Sequence, residues 1–146
     1  MIDALTRDVL QQCVRRESRS LLQYAVAVSI WVGPKDRQAL ARLRDLAAAE
    51  QAATDAIGRY LQKNQAGLGY LGPFPSQFTT VNDAALSFLL PAIVREHREN
   101  VAALEADLAH VNNPTAFDLV TELLRLKRQH SADLDNLSPQ PHTVWK

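Results

Sequence analysis

The chain has 146 residues, 47% of them hydrophobic, and its 16 Lys+Arg balance its 16 Asp+Glu to a formal net charge of zero. That length suits one domain with a sizeable core, and the charge balance excludes the electrostatic bias that nucleic acid or an anionic membrane surface would select. A single cysteine, Cys13, excludes an internal disulfide and fits a reducing cytoplasm.

The first predicted helix runs from about Asp3, a good cap, to Val32, where Gly33-Pro34 stops it. The first ten residues are acidic and polar, unlike a signal peptide, and the longest apolar run, 24–32, is too short to span a bilayer. A cytoplasmic, membrane-free protein is the expectation. The stripe Leu10, Val14, Glu17, Leu21, Tyr24, Val28, Trp31 keeps one helical face. One of its members is a carboxylate, which asks for a partner inside the protein, because a stranded buried charge costs about 3–5 kcal/mol. Leu22, Val26 and Ile30 lie off that seam, so a second apolar face is expected to pack on another subunit, at least as a dimer through this helix. Cover by the crossover described below is the alternative. Arg15, Arg16 and Arg19 form a short basic cluster, balanced by Glu17 and Asp8 and read as a solvated face.

The second helix is predicted from Pro34 to about Asn64, with the stripe Leu40, Leu43, Ala47, Glu50, Thr54, Ile57, Leu61. A glutamate again takes a core position near mid-helix. Residues 67–81 carry three Gly, two Pro and three aromatics. They are too long for a tight turn and too apolar for a linker, so a crossover laid along the helices fits, anchored by Tyr70, Leu71, Phe74 and Phe78. The third helix follows Asn82-Asp83 and ends near Val111, with a kink at Pro91 or a start later than Asp83. Two adjacent stripes are open there, one placing Glu96 inward and the other His97. The fourth helix runs from about Thr115 to Leu137, with Lys127 and His130 one turn apart on its seam. Residues 138–146 read as an irregular tail after a single domain over 1–137.

Every predicted helix thus brings a chargeable side chain to its buried face, and carboxylates with imidazole inside a bundle are groups that bind iron or manganese. In Glu17 with Gln23-Tyr24, Glu50 with Ile57 and Tyr60-Leu61, Glu96, His130 with Leu134 and the long crossover, the chain resembles the ferritin-like family, its bacterioferritins in particular. The resemblance implies an all-α, antiparallel four-helix bundle with a crossover between the second and third helices. It implies a metal site of Glu17, Glu50, Glu96 and His130, with Tyr24 donating to Glu96. Two departures alter that site. Ala53 stands where the family pattern has a histidine, and Lys127 where it has a bridging glutamate. Ala52 stands where a haem-ligating methionine belongs, so no haem is implied. Three carboxylates against Lys127 leave about two negative charges, enough for one divalent ion and poor for two. The implied function is a metal-binding, iron-handling protein with an altered site holding one ion or none, and oxidase chemistry follows only if iron binds. The other reading is a non-catalytic structural or interaction protein whose polar layer is closed by Lys127.

Overall fold

The computed structural model describes residues 2–28, 32–68, 71–81 and 85–137. Among them every regular element is helical: α1 (Ala4–Ser18), α2 (Leu21–Ala27), α3 (Arg37–Lys63), α4 (Leu86–Leu108) and α5 (Pro114–Leu137). Two 3-10 turns, Pro34–Asp36 and Ser76–Val81, stand before α3 and within the crossover.

Where the sequence predicts one helix up to Val32, the chain breaks at Arg19–Ser20. Ser20 caps a new helix, its hydroxyl accepting the Gln23 N–H. The freed Leu21 N–H donates to Glu96 Oε1 at 2.7 Å. A side chain from another helix thereby satisfies one of the donors that a helix start leaves open. The other ends lie close to expectation. Asp3 caps α1 through Thr6, and α3 follows its Pro34 turn. α4 starts after Asp83, with Pro91 inside it in the second turn, where the ring removes the backbone donor that would reach Ser87. Trp31, Ile30, Tyr70, Asn82-Asp83 and the tail 138–146 lie outside the described residues.

Side-chain pairs give the direction of each neighbour. Gln11 reaches Ala66 and Gly67, Ser18 meets Gln51, and Gln23 reaches Ala47, so α1 and α2 run opposite to α3. Arg42 pairs with Asp133 and Tyr60 with Asn113, so α5 opposes α3. Arg98 with Asp135 and Arg128 with Glu105 set α4 against α5. Arg16 with Asp107 and Leu21 with Glu96 set it against the rod of α1 and α2. Consequently α3 and α4 run in the same direction, which is why a crossover and not a hairpin joins them.

Two apolar clusters fill the interior. One holds Leu21, Leu22, Leu43, Leu46, Leu86, Leu89, Ile93 and Leu134. The other holds Leu10, Cys13, Ile57, Leu61, Leu104, Val120 and Leu123. Each of these large side chains contributes about 1.5–3 kcal/mol on burial, so the clusters drive the fold. Leu22 is buried within the chain, in the cluster that also contains Phe78 and, at its edge, Phe74 and Val26. Tyr24 stacks edge-on against Phe74, with ring centroids 5.1 Å apart, and lies 5.5 Å from Phe78. The aromatics of the crossover therefore close this side of α2.

Cys13 is fully buried, and burial pushes its thiol up to about 12. Since the thiolate is the nucleophile, native protein should resist a disulfide-exchange reagent at neutral pH and react at one site only after denaturation. Rapid labelling of folded protein would contradict that packing.

Candidate metal centre

Between the two apolar clusters lies a layer of charge. In every rod the sequence number of the polar residue falls between those of its apolar flanks: Val14, Glu17, Leu21; Ala47, Glu50, Ile57; Ile93, His97, Leu104; Leu124, Lys127, His130, Leu134. Exposure is 4% for Glu17, 3% for Glu50, 3% for His97, 1% for Lys127 and 6% for His130. The 3.6-residue repeat brings these side chains to one level because each sits on the same stripe as the Leu, Val and Ile around it.

Glu50 is the hub. His97 Nε2 and His130 Nδ1 each lie 2.7 Å from its Oε2. Its other oxygen, Oε1, lies 3.5 Å from Lys127 Nζ. Burial alone would push this carboxyl up, but the hydrogen bonds to His130 and His97 and the Lys127 charge outweigh it and hold Glu50 well below the usual carboxylate range. Glu50 is thus an anion with one oxygen shared by two rings and one facing an ammonium.

Glu17 is spoken for differently. Its Oε1 accepts from Lys127 at 2.5 Å, and its Oε2 accepts from Arg16 Nε at 2.7 Å. Arg16 also donates to Asp107 at 3.0 Å. Arg16, read from sequence as part of a solvated face, is therefore half-buried and ties the layer to α4. His97 is braced from behind, its Nδ1 lying 3.1 Å from Ser131 Oγ. Among the described residues no fully buried side-chain nitrogen or oxygen lacks a partner.

Of the four ligands implied by the resemblance, Glu50 and His130 come together in a potential metal-holding group whose third member is His97. Glu17 is engaged by Lys127 and Arg16. Glu96 lies outside the group, with Oε1 on the Leu21 N–H, and burial pushes its carboxyl up against the opposing effect of that bond. The choice left open on the third helix is settled: His97 faces the interior and Glu96 is half-buried beside it. Ser131 carried no signal in the sequence beyond following His130.

The donor atoms of Glu50, His97 and His130 all lie within 4.8 Å of one another. Adjacent ligands around an ion with bonds near 2.1 Å stand about 3.0 Å apart in octahedral and about 3.4 Å apart in tetrahedral coordination, so each 2.7 Å contact would need to open by about 0.3–0.7 Å. Two imidazoles and one carboxylate suit a borderline divalent ion such as iron, manganese, cobalt or zinc. The donor set fits one ion. It does not fit two, because the ammonium of Lys127 already stands between Glu17 and Glu50. Compared with protein-family models, with curated proteins and with solved structures, the chain matches none of them.

Proposed function

We propose that this protein is a ferritin-like four-helix bundle that binds a single divalent metal ion through Glu50, His97 and His130. The observation that carries the reading is the convergence of two ring nitrogens on one buried carboxylate oxygen, each at 2.7 Å. The bundle topology is supported by antiparallel neighbours, with the broken α1–α2 rod, α3, α5 and α4 in cyclic order and a long crossover between the co-directional α3 and α4. Charge agrees as well. One carboxylate and two neutral rings leave a divalent ion with one net positive charge, beside a Glu17–Lys127 pair that is neutral on its own. Anaerobic loading with ferrous iron, followed by desalting and metal analysis, should find one ion per chain. A ratio near zero with iron, cobalt and zinc alike would refute the proposal.

Ser131 has a definite part in this reading. In the His97 tautomer whose Nε2–H donates to Glu50, Nδ1 accepts the Ser131 hydroxyl. With metal on Nε2, Nδ1 carries the proton and the same hydroxyl oxygen accepts it. A hydroxyl serves both tautomers and holds the ring in place through the exchange. Ser131→Ala should therefore weaken cobalt binding about tenfold, as loss of a partner behind a metal-ligating ring does. Threonine at the same position should restore most of it.

A second reading has its own support. Lys127 lies within ion-pair distance of both Glu17 and Glu50, and every fully buried polar side-chain atom among the described residues is satisfied. A layer so complete needs no ion and acts to fix the register of the helices, a use buried polar groups have in other bundles. On this reading the protein is structural, and Lys127 closes the layer permanently.

A further inference from the structure

A cavity of 320 Å³ lies between the end of α1, the crossover and α4. Its walls include Arg15, Arg16, Arg19, Pro73, Phe78 and Glu96. We propose that it is a binding site for a small organic carboxylate with an apolar or aromatic body, an inference independent of the metal reading.

Unbalanced charge is the first argument. Arg16 is committed to Glu17 and Asp107. Arg19 is half-buried, and its partners are neutral: its Nε donates to the Gly72 carbonyl at 2.8 Å, its Nη1 donates to the Ser18 carbonyl at 3.3 Å, and its guanidinium sits 5.1 Å from the centre of the Phe74 ring. Arg15 makes no ion pair among the described residues. Against these cations the wall sets one carboxylate, Glu96, whose Oε1 is occupied by the start of α2. A concave surface with positive charge in excess and low-dielectric walls concentrates anions.

The second argument is order. A carbonyl on either side and a ring against its face fix Arg19 before any ligand arrives, so little side-chain freedom is lost on binding. Its remaining Nη group has no hydrogen-bond partner among the described residues, which leaves Arg19 with donor capacity at the wall of the cavity. The third argument is the rest of the lining. Pro73 and Phe78 offer flat apolar surface beside the guanidinium groups, which suits a ligand that is anionic at one end and apolar at the other. The volume lies at the small end of ligand pockets, which favours a single ring over a nucleotide.

The test is calorimetric titration of the intact protein with benzoate, benzamide and inorganic phosphate. Benzoate should bind saturably, with benzamide, equal in shape and uncharged, at least about tenfold weaker, the worth of a charge-assisted contact. Phosphate should bind more weakly than benzoate. Arg15→Gln, at an exposed position, and Arg19→Gln should each reduce benzoate affinity about tenfold. Arg19→Gln also gives up the bond to Gly72, so its helicity is checked by circular dichroism, and Arg15→Gln carries the test should that variant fail to fold. Absence of saturable benzoate binding, equal binding of benzamide, preference for phosphate, or benzoate affinity unchanged in Arg15→Gln would each overturn the assignment.

Discussion

Glu50→Gln should lower the affinity for cobalt by at least about 100-fold, equivalent to about 2.7 kcal/mol, while Glu96→Gln leaves it unchanged. The first half follows from the hub geometry. The glutamine keeps the shape of the side chain but loses the anion that neutralises the ion, and its single acceptor oxygen replaces the one that both rings share. The loss of a partner behind a ligand costs tenfold to 100-fold, so removal of the charged ligand sits at or beyond that limit. The second half follows from the position of Glu96, whose described bond is to the Leu21 N–H on the other side of the helix break. Visible absorption of bound cobalt measures both variants directly. Equal binding by Glu50→Gln and the parent would remove Glu50 from the site. A loss with Glu96→Gln as large as with Glu50→Gln would instead restore the ligand set that the family resemblance implied.

That contrast shows which parts of the site were legible in the sequence. Periodicity finds Glu17, Glu50, Lys127 and His130, because each falls on a stripe whose other members are mostly apolar, and all four are buried. The stripe says which side chains turn inward. It does not say which of them touch. Glu17 and Glu50 look equivalent as sequence, yet Lys127 takes the first at 2.5 Å and stands off from the second at 3.5 Å, which frees a Glu50 oxygen for the two rings. On the third helix, two adjacent residues lie about 100° apart, and both candidate stripes were apolar enough to face the core. The break in the first rod decides between them, because it creates an open backbone donor that draws Glu96 sideways and leaves the interior to His97. That break had a faint signal. Ser20 followed three residues later by Gln23 is a helix-start pattern. It was masked by the apolar run around it, and Gln23 turns its own side chain to Ala47 instead of back to Ser20. Spacing on one helix makes the basic cluster look solvated, because it cannot show that Asp107, 91 residues away, comes to meet Arg16.

Lys127→Met separates the two functional readings, because it removes the ammonium while keeping a long apolar stem between the same neighbours. Without metal the variant should lose about 3 kcal/mol of stability to denaturant. The value sits at the lower end of the range for a broken buried pair, since Arg16 still holds one oxygen of Glu17 and the rings still face Glu50. What happens next depends on whether the layer is a metal site. If it is, the variant presents two carboxylates with no cation between them. Its affinity for a divalent ion should then exceed the parent's, and saturating metal should recover most of the lost stability by mass action, about 2.7 kcal/mol at 100 times the dissociation constant. If the layer is purely structural, metal recovers nothing and the loss remains at every concentration. The physical difference lies in what Glu50 Oε2 can do when the second oxygen is released from Lys127. A ligand oxygen with two ring nitrogens beside it gains from an ion, whereas a hydrogen-bond hub with no room for one does not. Urea midpoints of the variant with and without cobalt therefore decide between a lysine that limits a metal centre to one ion and a lysine that closes a layer with no room for any.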